Sequence, residues 1–220
     1  MDMSGGILTL QLLITRLFNK KTLNRTVAPF LFGILLLSMG ITCMIRADLG
    51  VSPFDALLVG LHDNVGLTVG SWEIIIAFLM ILLNSLLIKE KPAFAGLITS
   101  FVVGIGIDLW LFLFSIVPTP SSWMYQLLFF TVGLTLSGLG TAIYLKAQVY
   151  RIPVDHTMII LQGLLKKGVF FTRTLIYLCF LMLAIATDGP IGIGTIITVL
   201  LGGPILQMFM KVPKRSTHQF

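Results

Sequence analysis

The chain has 220 residues, 56% of them hydrophobic and 11% charged, with a net charge of +6 and a mean hydropathy of +1.00. A soluble domain of this length carries charge on about a quarter of its residues, so the composition excludes one. The basic excess does not mark a nucleic-acid binder either, because most Lys and Arg residues fall in short connections between apolar runs, where they signal membrane topology.

Residues 1–26, opening MDMSGGILTLQLLITRLFNKK, put Arg16, Lys20 and Lys21 after an apolar segment rather than before it, with no small-residue cleavage site. They are expected to form a cytoplasmic segment lying at the membrane interface, with a partly ordered tail as the competing reading. Six apolar spans follow, near 27–45, 71–88, 94–116, 123–145, 170–187 and 192–210. Proline and glycine clusters separate them, including VPTPSS at 117–122 and TDGP at 187–190. Residues 211–220 form a basic tail. The expected fold class is an all-α polytopic membrane protein, since a barrel shows short alternating segments instead of long apolar runs. An inside amino terminus puts every basic residue but Arg46 of the 15 on the cytoplasmic side, and both termini are therefore expected there.

Polar residues interrupt the apolar chain twice, at IRADLGVSPFD (45–55) and LKAQVYRIPVD (145–155). At an offset of 100, Gly33 meets Gly133, Gly40 meets Gly140, Arg46 meets Lys146, Pro53 meets Pro153 and Asp55 meets Asp155. GLITSFVVGIGI (96–107) also resembles GTIITVLLGGPI (194–205). The chain reads as two repeats, 27–117 and 118–210, each with three spans. An odd number of crossings inverts the second repeat relative to the first, an arrangement recurrent in transporters. Duplication retained for packing alone is the competing reading.

Each repeat also carries a short helix, near 53–61 and 153–165, too short to span and therefore re-entrant or interfacial. Ser52 is placed to cap the first, Pro53 suits its opening position, and Asp55 favours its amino end; Pro153 and Asp155 repeat the pattern. The structural reading of these acids is local capping, and of Arg46 and Lys146 topology anchoring. The functional reading makes the two helix starts opposed gates on a central cavity for an anionic or zwitterionic solute. Asp108, about 21 Å along the third span, must face protein or water, and Arg46 is its expected partner. Such a pair is either a structural tie between the first and third spans or a switchable lock in ion coupling. Glu73 opens the second span beside Gly70 and Ser71 and is expected at the interface.

No HExxH, nucleophile elbow or paired cysteine occurs, so no enzyme, metal or cofactor is expected. Cys43 and Cys179 read as packing residues, the glycines of the spans as close-approach positions, and no selectivity-filter sequence is present. The expected partners are the bilayer and a small solute, with homo-oligomers open and nucleic acid excluded. The best-supported role is a transporter or exporter, and the alternative is a non-transporting accessory or scaffold protein.

The blocks ADLGVSPFDALLVGL, VGSWEIIIAFLMILLN and GIGTIITVLLGGPI resemble the bacterial YczE/YyaS/YitT-like integral membrane proteins over roughly residues 28–210. On that match Leu49, Gly50, Pro53, Asp55, Gly192, Gly194 and Thr195 are the motif positions, with Phe54 standing where many members have Trp. The resemblance implies a multi-pass plasma-membrane protein and brings no activity with it.

Overall fold

The computed structural model describes residues 26–147 and 151–211. The expected amino-terminal interfacial segment and basic tail lie outside the described residues, apart from Thr26 and Lys211. The described chain forms eight helices and no strand: α1 (Ala28–Ala47), α2 (Pro53–Val65), α3 (Val69–Ile88), α4 (Ala95–Phe114), α5 (Trp123–Ala147), α6 (Pro153–Leu165), α7 (Val169–Ala186) and α8 (Ile193–Lys211). Five of them, α1, α3, α4, α5 and α8, are long and apolar enough to cross a bilayer.

Local chemistry sets most boundaries. Pro53 opens α2 where its missing N–H costs nothing, and the Ser52 hydroxyl accepts from the Asp55 amide at 3.2 Å. Thr68 caps α3 in the same way, through the Ser71 amide at 3.0 Å. Helix α2 runs four residues beyond the expected 61, because 62–65 continue helical until Gly66 turns the chain at φ 92°.

The outer surface of the bundle is apolar, unlike that of a soluble protein, while the interior keeps its apolar core and also takes in hydroxyls. Phe32, Leu86, Ile98, Phe112 and Ile196 are exposed, whereas Ser38, Thr42, Thr99, Ser100 and Thr172 are buried. An apolar outer surface with hydroxyls inside is what a hydrocarbon solvent selects. Thr172 and Thr198 return their hydroxyl hydrogens to carbonyls four residues back, so they cost little where they are buried.

The most extensive interface joins α1 to α5, and they cross on small residues. Gly33 lies against Gly140 and Gly40 against Gly133, bringing the two backbones into direct contact. α4 flanks α1 and α8 flanks α5. The two short helices are exchanged: α2 packs mainly on α7, and α6 on α3. The packed core follows these seams, through Ile34, Leu37, Met44, Leu58, Phe130 and Tyr144.

Candidate functional site

The seams leave a cavity of about 560 Å³ between α1, α5 and the two short helices, closed further by α3, α7 and α8. Its walls are largely apolar, but six charged residues reach it: Asp55, Glu73, Lys146, Arg151, Asp155 and Arg173. That combination of an apolar pocket with a few convergent polar groups is the usual form of a small-molecule site.

Both short helices begin at this cavity. Ser52, Phe54 and Asp55 line it from the start of α2, and Arg151, Val154 and Asp155 from the start of α6. The Asp55 carboxylate accepts from the Ser52 hydroxyl at 2.5 Å, which together with the Ser52 cap closes a local box around the helix start. Ile152 stands where a cap would be on α6 and has no side-chain acceptor, so Asp155 finds its partner elsewhere: the Tyr144 hydroxyl of α5 donates to it. A tether from α3 holds the same helix, the Asn84 amide donating to the Pro153 carbonyl at 3.1 Å.

Glu73 is the residue the sequence places wrongly. It is 2% exposed, not interfacial, because α2, α4 and α6 all pack on α3 around it. Asp55 and Asp155 stand within electrostatic range, and the Ser100 hydroxyl of α4 faces the same carboxyl. Neither Glu73 Oε1 nor Ser100 Oγ reaches a hydrogen-bond partner among the described residues. Arg173, legible in the sequence only as a topology residue, lies over the Tyr177 ring and donates to its hydroxyl at 2.8 Å. Tyr144 and Tyr177 carry no sequence signal that separates them from packing aromatics.

Arg46 and Asp108 do not meet. Arg46 donates to the Val117 carbonyl just beyond α4. Asp108 accepts from the Thr68 hydroxyl at 2.6 Å and the Gly70 amide at 2.8 Å, anchoring the start of α3. The expected pair assumed only that both residues lie in the outer half. Asp108 faces α3, where Gly70 and Gly104 allow close approach, and neither Arg46 nor Asp108 lines the cavity. Lys146 does line it, with its amine donating to the Phe209 carbonyl at 2.9 Å.

The motif residues assemble a junction of backbone. Gly194 N–H donates to the Leu49 carbonyl at 2.7 Å, and Val51 N–H to the Pro190 carbonyl at 3.3 Å. Gly50 has φ 93°, and a side chain there would run into the Gly192 amide and stand 2.7 Å from Thr195 Oγ1. That hydroxyl accepts from Gly192 N–H at 3.2 Å. Two blocks more than a hundred residues apart are thus one joint, and just beyond it Pro53 opens α2 and Asp55 lines the cavity.

Fold and site together define a polytopic helical membrane protein built around an internal charged cavity. Within that class, the chain matches a family of unknown function (DUF6198) over residues 24–211 and belongs to it. It is 51% identical over 183 residues to a protein of Bacillus subtilis (strain 168) called "Uncharacterized protein YyaS", covering 83% of this chain and 91% of that one. It is 34% identical over 176 residues to the "Uncharacterized membrane protein YczE" of the same organism, covering 80% of each. An "Uncharacterized protein" of Haemophilus influenzae is 21% identical over 194 residues, covering 88% of this chain and 87% of that one. No solved structure matches the chain significantly. The family expected from the motif blocks is therefore the family found.

Proposed function

We propose that the protein is a transporter, with no catalytic step, that moves a small solute through the cavity by alternating access between two inverted repeats, 27–117 and 118–210. It sits in the plasma membrane with both termini in the cytoplasm. The observation that carries the reading is the convergence of both short-helix starts, one from each repeat, on a single charged cavity. Sites between inverted repeats, near the midplane and bounded by short or broken helices, are the recurrent arrangement of secondary transporters.

The pattern of contacts supports the repeat. Exchanging the halves turns the α2–α7 contact into α6–α3, and the Gly33–Gly140 contact into Gly133–Gly40. The two halves are not in equal states. Pro53 and residues 55–60 are buried in α2, whereas α6 buries Pro153, Thr157 and Ile160. Equivalent elements packed tightly on one side and loosely on the other are what a rocking mechanism requires of any single state.

Ser137 lines the cavity beside the α1–α5 crossing and tests the reading. On a background lacking Cys43 and Cys179, Ser137→Cys should react with a membrane-impermeant thiol reagent applied from either side of sealed vesicles. Reactivity confined to one side would contradict alternating access.

A further inference from the structure

The cavity's charges are unequal in one respect that bears on the solute. Its cationic groups have partners or water: Arg173 is held by Tyr177, Lys146 by the Phe209 carbonyl, and Arg151 is exposed. Two of its carboxylates are also held, Asp55 by Ser52 and Asp155 by Tyr144. Glu73 is 2% exposed, lines the cavity, and has an oxygen with no hydrogen-bond partner among the described residues. Among the described residues the groups that interact with it are Asp55 from α2, Asp155 from α6, Ser100 from α4 and Tyr144 from α5; none is cationic.

A carboxylate buried in a bilayer-spanning bundle needs a countercharge. Among the described residues none is supplied at Glu73, which leaves the place to a proton or a bound ligand. A bare metal ion is a poor fit, since no three His, Cys, Asp or Glu side chains among the described residues stand together as ligands. The cavity that Glu73 lines has hydrocarbon and thioether in its walls, including Leu37, Ile41, Met44, Leu134 and Met158. Methionine and leucine walls fit an apolar body of variable shape.

We propose that Glu73 binds the positive group of an organic cation, whose apolar body lies along the Met- and Leu-lined wall of the cavity. This names the solute class of the transport reading, and only the movement of the solute, not its binding, rests on that reading. Protons compete for the same oxygen, so binding weakens as pH falls.

The test uses the full chain purified in detergent, with radiolabelled tetraphenylphosphonium as probe and tetraphenylborate, similar in shape and opposite in charge, as competitor. The expected result is saturable phosphonium binding that borate does not displace. Glu73→Gln should weaken binding by at least about tenfold while leaving thermal unfolding unchanged. Glu73→Asp, which keeps the charge, should bind with intermediate affinity and guards against a Gln variant that fails to fold. No saturable binding, equal displacement by borate, or wild-type affinity in Glu73→Gln would overturn the assignment. Two-sided reactivity at Ser137→Cys without phosphonium binding would remove the cation and leave the transport reading standing. Phosphonium binding with one-sided reactivity would support the cation site and remove transport.

Discussion

Gly33 and Gly140 touch through their backbones: a methyl group on Gly33 would stand 2.9 Å from the Gly140 carbonyl oxygen, and one on Gly140 2.6 Å from that of Gly33. Gly40 and Gly133 repeat the contact at 2.6 and 2.7 Å. Neither helix can yield alone, because each carbonyl is part of its own helical ladder. Gly33→Ala and Gly133→Ala should therefore each destabilise the protein by about 1–3 kcal/mol, read as lower midpoints of thermal unfolding. Gly163→Ala is the control, since nothing lies within 4 Å of a methyl group there. It should be neutral or stabilise by about 0.5–1 kcal/mol through helix propensity.

Asp108 and Arg46 act on separate helix ends. Asp108→Asn removes the charge from two hydrogen bonds at the start of α3 and should cost about 1–2 kcal/mol. Hydrogen exchange should quicken at the first amides of α3. Arg46→Ala should cost about 1 kcal/mol, through loss of the Val117 contact. Both variants should bind tetraphenylphosphonium with wild-type affinity, an outcome opposite to that of Glu73→Gln.

Gly50→Ala tests the joint between the two motif blocks. The substitution demands a left-handed backbone from a residue with a Cβ, and places that Cβ against the Gly192 amide. Strain of this kind costs about 1–3 kcal/mol before any clash is counted. The variant should show a large drop in unfolding temperature or in yield. Wild-type stability would show that the joint can relax.

Asn84 and α6 provide a dynamic prediction. The Asn84 amide is the buried tether on the Pro153 carbonyl, and α6 is the more loosely buried of the two short helices. Asn84→Ala should accelerate amide exchange across α6 while leaving α2 protected. Equal acceleration in both helices would mean that the tether acts on the whole bundle.

The helices were legible because hydrocarbon length is a one-dimensional property: each expected range lies within a few residues of a helix, and five of the six expected spans are long and apolar enough to cross a bilayer, the exception being α7 at the expected 170–187. The start of α2 was legible for a local reason, since Ser52, Pro53 and Asp55 act within one turn. Glu73 was not. Its neighbours Gly70 and Ser71 made it look interfacial, and its burial comes from α2, α4 and α6, which no local pattern reports. Asp108 fails differently. Its depth could be counted along the helix, but the face it presents could not, and that face meets α3 instead of Arg46. Arg173 lay hidden among topology residues because charge counting treats every Arg alike, whether it faces water or the Tyr177 ring.

Alternating access of this kind requires inversion of the two repeats, which labelling of exposed positions on their short helices reports. Asp63, near the end of α2, and Leu164, near the end of α6, are both exposed. On a background lacking Cys43 and Cys179, Asp63→Cys should react with an impermeant reagent only from outside the cell, and Leu164→Cys only from the cytoplasm. Reaction of both positions from the same side would contradict it.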